Sequence, residues 1–166
     1  MESQIQLLIY LVPACAALAL IVAYALAKWI SNVDSGNERM KEISGYIHEG
    51  AMAFLKREYK TMVFVIVALF LLIGIGIGNW ITAVMYLVGP LLSVLAGYFG
   101  MAVATKGNVR TANAAMESGM VKALKVAFRS GAVMGLCVTG LGLLGLGIVF
   151  VIMGIEADKV ITGFSL

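Results

Sequence analysis

Between residues 61 and 105 the sequence has no Asp, Glu, Lys, Arg or His, and the same holds for residues 3–27 and 130–155. Charge is scarce throughout, at 13% of residues, against 61% hydrophobic residues and a mean hydropathy of +0.99. Soluble domains carry about 25% charged and roughly 45–50% apolar residues, so a soluble globular class is excluded. Histidine occurs once, and the two cysteines, Cys15 and Cys137, lie in uncharged windows with no second Cys or His at ligand spacing. That excludes a metal or redox pair built on either helix, and both are expected to be buried structural thiols. A P-loop is absent too. The pattern G-x-G-x-x-G does occur, as Gly140, Gly142 and Gly145. It sits within the 130–155 window, where a pyrophosphate would have to be desolvated in lipid to reach it, so no nucleotide site is assigned.

The uncharged windows define an all-α polytopic membrane protein. A helix of 26 residues covers roughly 39 Å, more than the roughly 30 Å hydrocarbon core of a bilayer. The 61–105 window is long enough for two spans, with a turn at Gly78, Asn79 and Trp80. Four spans are therefore expected in one membrane domain covering residues 1–166, at about 4–27, 61–78, 81–105 and 130–154. The first window follows Glu2, not a basic start, and exceeds a signal-peptide core, so it reads as a retained span. Pro13 within it is tolerated where neighbouring helices re-satisfy the freed carbonyl.

Basic residues orient the spans. Residues 28–60 carry six Lys or Arg and residues 106–129 carry five, whereas the 78–80 turn has none and the tail only Lys159. The positive-inside rule then places 28–60 and 106–129 in the cytoplasm and both termini outside. This bias also accounts for the net charge of +3, leaving no call for a nucleic-acid partner.

Ser35 with Glu38 three residues on fits a capping box, which predicts a helix starting near Gly36. Met40, Ile43, Ile47, Ala51 and Phe54 give that helix an apolar stripe, and it is expected to run on into the second span, with Gly45 and Gly50 as its weak points, the alternative being a separate amphipathic helix on the membrane surface. The third span is expected to continue to Gly119 and stop there, with a new helix carrying Val121, Leu124 and Phe128 on one side. Small residues recur at steps of four in Ala19, Ala23 and Ala27, in Ser93 and Gly97, and in Gly131, Gly135 and Thr139. Such spacing lets membrane helices approach closely. Small residues on several faces of the fourth span, including Gly140, Gly142, Gly145 and Gly147, imply neighbours on two sides and hence a larger assembly.

Chemistry is harder to find. No span carries an ionisable acid or base, which an ion path ordinarily requires. Ser93 and Thr139 are the deepest polar side chains, expected to serve helix hydrogen bonding. Asp34, Glu38, Glu42, Glu49, Glu58 and Glu117 are interspersed with basic residues and form no tight carboxylate group, so no magnesium–phosphate site is assigned. His48 is expected to be solvated. No residue is therefore assigned a catalytic, cofactor-binding or metal-ligating role.

Three stretches nevertheless resemble membrane-integral pyrophosphatases. Residues 42–62 hold Glu49, Gly50, Ala51, Ala53, Phe54, Leu55, Arg57, Tyr59 and Lys60 in an E-G-A-x-A-F-L-x-R-x-Y-K run. Residues 97–115 hold Gly100, Met101, Ala104, Thr105, Asn108, Val109, Arg110 and Thr111, departing from the family at Lys106-Gly107, where alanine more often follows. Residues 127–146 are similar to the family's fourth-helix entry and span. The resemblance implies the N-terminal, outer-ring helices of a sixteen-helix homodimeric pump in the cell membrane. Such pumps hydrolyse pyrophosphate and export sodium ions or protons. It also implies magnesium, and potassium in some members, bound by later helices and outside residues 1–166. The alternative is a four-helix membrane scaffold or accessory subunit without enzymatic activity.

Overall fold

In the computed structural model residues 2–78 and 80–153 are described; Asn79 and the tail with Lys159, on which part of the orientation count rests, lie outside them. Four long helices make up the chain: α1 (Glu2–Asn32), α2 (Glu38–Leu72), α3 (Trp80–Ser118) and α4 (Met120–Met153). All four are long and apolar enough to cross a membrane. The described residues contain no strand, and the protein is a multi-pass membrane protein.

Sharp local signals separate the helices. After α1, the Asp34 carboxylate accepts the Gly36 amide at 3.0 Å, and Gly36 takes a φ of +82°, which glycine adopts without penalty. Asn37 then caps α2, its Oδ1 accepting the Met40 amide at 2.9 Å. The cap is Asn37 and not Ser35, because the Gly36 turn carries Ser35 away from the helix start. Helix α2 runs unbroken through Gly45 and Gly50, as expected, and ends in one π-helical turn, Ile73–Ile77, before Gly78 at φ 70°. Gly119 alone, at φ 81°, joins α3 to α4, where the sequence places the stop.

Helix α4 lies at the centre, packed against α3 on one side and α1 on the other; α2 touches α3 and neither α1 nor α4. Ala23 and Ile30 of α1, Ala96 of α3, and Val133 and Cys137 of α4 form the main core. A second cluster, Ala114, Ala123 and Val126, continues it toward Gly119, while Ile73, Ala83 and Tyr86 join α2 to α3 at the other end.

Small residues set these distances, though not all at the expected positions. The alanine series on α1 faces inward, with Ala23 buried and Ala19 and Ala27 half-buried. A Cβ at Gly140 would stand 2.9 Å from Leu20, one at Gly147 3.1 Å from Pro13, and one at Gly100 2.7 Å from Met134. By contrast, Gly131 and Gly135 meet nothing within 4 Å, and Thr139 is exposed. The periodicity was sound but belongs to the face of α4 opposite its packed one. Ser93 is likewise exposed and Cys15 is exposed, while only Cys137 is buried. An apolar residue on a membrane helix has no preference for the interior, since lipid is as apolar as protein. The stripe read on α2 is displaced as well. Ile43, Ile47 and Phe54 are exposed, and the face toward α3 is marked by His48, Leu55 and Tyr59.

Candidate functional site

Several polar residues with partners gather where α1 ends, at the charged end of the bundle. A helix C-terminus leaves carbonyls without partners and carries a partial negative charge. Arg110, on α3, answers both. Its Nε donates to the Val33 carbonyl at 2.9 Å, Nη2 to the Ser31 carbonyl at 3.3 Å, and Nη1 to the Lys106 carbonyl at 2.8 Å. One turn on, the buried Asn113 extends its Nδ2 to the Asp34 carbonyl at 3.5 Å. Its Oδ1 is buried without a partner among the described residues and faces Gly36, where a Cβ would come within 2.8 Å.

Helix α4 grips the same end of α1. The Arg129 guanidinium lies 4.1 Å from the centre of the Trp29 ring, a cation–π contact. Gly107 of α3 abuts Ser130 of α4 so closely that an added Cβ would overlap the Ser130 Oγ and stand 2.7 Å from its Cβ. The Lys106-Gly107 departure from the family pattern thus has a physical reason in this chain: Ser130 fills the volume a methyl group would need.

Helix α2 is fastened to α3 by two side-chain bonds. His48 Nδ1 meets the Thr105 hydroxyl at 2.9 Å, and the Tyr59 hydroxyl donates to the Val94 carbonyl at 2.9 Å beside Gly97. His48 is therefore half-buried and bonded, not solvated; its i, i+11 relation to Tyr59 on a 3.6-residue helix was the signal that both share a face.

The acids do not converge. Glu38 bonds Lys41 at 2.8 Å, which together with its charge raises the lysine's affinity for its proton, and Glu42 bonds Arg39 at 2.8 Å. Asp34 is engaged by Gly36, while Glu49, Glu58 and Glu117 are exposed on two different helices. Among the described residues no group of three metal-ligating side chains forms. Among the described residues this arrangement positions helices and gathers no set of oxygens that fits magnesium.

Residues 17–166 match the family model described as inorganic H+ pyrophosphatase. A Clostridium tetani relative is 50% identical over 149 residues, 90% of this chain and 22% of its own length. A Methanosarcina mazei relative, named a K(+)-insensitive pyrophosphate-energized proton pump, is 45% identical over 95% of this chain and 23% of its own. A Thermotoga maritima relative, named a K(+)-stimulated pyrophosphate-energized sodium pump, is 42% identical over 89% of this chain and 20% of its own. The chain thus spans about a fifth of the length of the curated relatives it matches.

Proposed function

The chain belongs to the inorganic H+ pyrophosphatase family, and from that premise we propose that it forms the N-terminal, peripheral helices of a pyrophosphate-energized ion pump. The observation that carries the reading is the family match, unbroken from residue 17 to residue 166. Relatives named for proton and for sodium pumping match it at 45% and 42% identity, so these helices serve a pump of either ion and do not select between them.

In this reading the whole protein hydrolyses magnesium pyrophosphate on the cytoplasmic side and exports sodium ions or protons as a homodimer. Residues 28–60 and 106–129 face the cytoplasm. Substrate, magnesium and any potassium are held by parts beyond residues 1–166. The role of this chain's own residues is support. Arg110, Asn113, Arg129 and Trp29 lock the end of α1 to the α3–α4 hairpin, and His48 and Tyr59 brace α2 on α3.

Phosphate release from magnesium pyrophosphate, measured side by side for residues 1–166 and for the full-length protein in one detergent, tests this. Full-length protein is expected to turn over and the fragment to be inactive, because pyrophosphate needs clustered metal ligands that these helices lack. Comparable turnover by the fragment would sink the reading.

A further inference from the structure

Helix α2 sorts its charges by face. Lys56 and Lys60 line a hollow that they share with Tyr59 and Tyr98. Glu58 lines a separate groove of about 640 Å³ between α2, α3 and α4, and among the described residues no other charged side chain does so. The Tyr59–Val94 bond holds this part of α2 near the level of Ser93, which lines the same groove. Neither the Glu58 carboxylate nor the Ser93 hydroxyl has a hydrogen-bond or ion-pair partner among the described residues. Beyond them the groove is an apolar trough along Val65, Leu69 and Leu141, with Gly142 in its wall.

Its dimensions decide what fits. From Glu58 to Leu69 on α2, and from Ala96 to Tyr86 on α3, the groove runs roughly 15–16 Å at about 1.5 Å per residue. That is about half of the roughly 30 Å hydrocarbon core. It begins where α2 leaves its charged segment at Lys60, so it occupies the leaflet at the charged end and stops near the bilayer centre. Volume over length gives a cross-section on the order of 40 Å², whereas a helix about 10 Å across fills about 80 Å². A membrane-crossing helix is too long and too thick for it. An acyl chain is neither.

The acid selects the headgroup. A carboxylate where the helix meets the headgroups repels an anion and draws a cation, most strongly one that donates hydrogen bonds to it. A primary ammonium carries three such donors, and a choline carries none. We infer that the groove holds a phospholipid with an ethanolamine headgroup, its ammonium on Glu58, a phosphate or ester oxygen at Ser93 and an acyl chain along Val65 and Leu69. The site belongs to α2–α4 and does not depend on which ion the whole protein moves.

The test uses full-length protein stripped of lipid by detergent washing and then given an equimolar mixture of palmitoyl-oleoyl phosphatidylethanolamine and phosphatidylcholine. Phospholipid retained per chain is counted by native mass spectrometry. The parent is compared with Glu58→Gln and with Gly142→Leu, whose side chain enters the trough at a point where a Cβ meets nothing within 4 Å. Expected is a loss of about one phospholipid per chain in either variant, ethanolamine exceeding choline in the lost lipid at least fivefold. Equal retention by all three proteins overturns the inference; it is the result that a groove covered by protein, from a later segment or a second copy, would give. Loss from Gly142→Leu alone, with Glu58→Gln unchanged, also overturns it, because the amine would then not be recognised. Should Gly142→Leu fail to fold, Glu58→Gln, a change at an exposed side chain, decides the matter by itself.

Discussion

Arg110 concentrates most of what single residues contribute here. Its guanidinium fork reaches carbonyls on two helices at once, which a lysine's compact ammonium does not reproduce. Removing it leaves the last carbonyls of α1 without donors, at a cost of about 2 kcal/mol, charge-assisted bonds being worth about 1.5–3. Arg110→Ala is therefore expected to lower the melting temperature of the full-length protein in detergent, and Arg110→Lys to recover less than half of the loss; a lysine variant as stable as the parent would show that charge alone suffices. Gly107 makes a sharper case. Gly107→Ala overlaps Ser130, and overpacking of this kind costs about 1–3 kcal/mol. With Ser130→Gly added, the double variant is expected to regain most of that loss, a non-additivity read from a double-mutant cycle in thermal stability. At this scale the sequence was only partly legible. The family-like run around Arg110 stood out, but its partners, Ser31 and Val33, lie 79 and 77 residues away, and nothing local announces a bond at that separation. Cys15 and Gly135 misled because apolar and small residues suit a lipid-facing position as well as a packed one.

Helices were far more legible than contacts. Charge-free windows, the glycine stop at Gly119 and the absence of a break between Glu38 and Lys60 set α2, α3 and α4 nearly as observed, since length and capping are local properties. Which face of a helix packs is not local: on α2 the stripe residues Ile43, Ile47 and Phe54 are exposed, while His48 and Tyr59 bond to α3. Orientation depends on elements as wholes. The cytoplasmic placement proposed for 28–60 and 106–129 rests on their six and five basic residues and the positive-inside rule. Cysteines at Glu38, whose side chain is 91% exposed, and at Glu117 report this in a background without Cys15 and Cys137. Asn37 is unsuitable for the purpose because its side chain caps α2. Both cysteines are expected to resist an impermeant thiol reagent in intact cells and to react once the membrane is opened. Labelling of both from outside would invert the topology.

Across the whole molecule the helices stand in the order α2, α3, α4, α1, so that the first helix of the chain closes against the last. This order has a consequence in time. Ribosomes add roughly 5–20 residues per second, and about 90 residues separate the end of α1 from the start of α4, so α1 waits on the order of 5–20 s for its main partner. The α3–α4 hairpin, joined through Gly119 alone, pairs as soon as it emerges, whereas Trp29 has no guanidinium above it and Ser31 and Val33 no arginine until then. Nascent chains arrested just before α4 are expected to leave a cysteine at Ala23, buried in the finished protein, open to crosslinking with the insertion machinery, and chains arrested well past α4 to protect it. Equal crosslinking at both lengths would mean that α1 finds its place by some other route. Synthesis thus leaves the first helix of this protein a guest in the membrane until the fourth arrives to receive it.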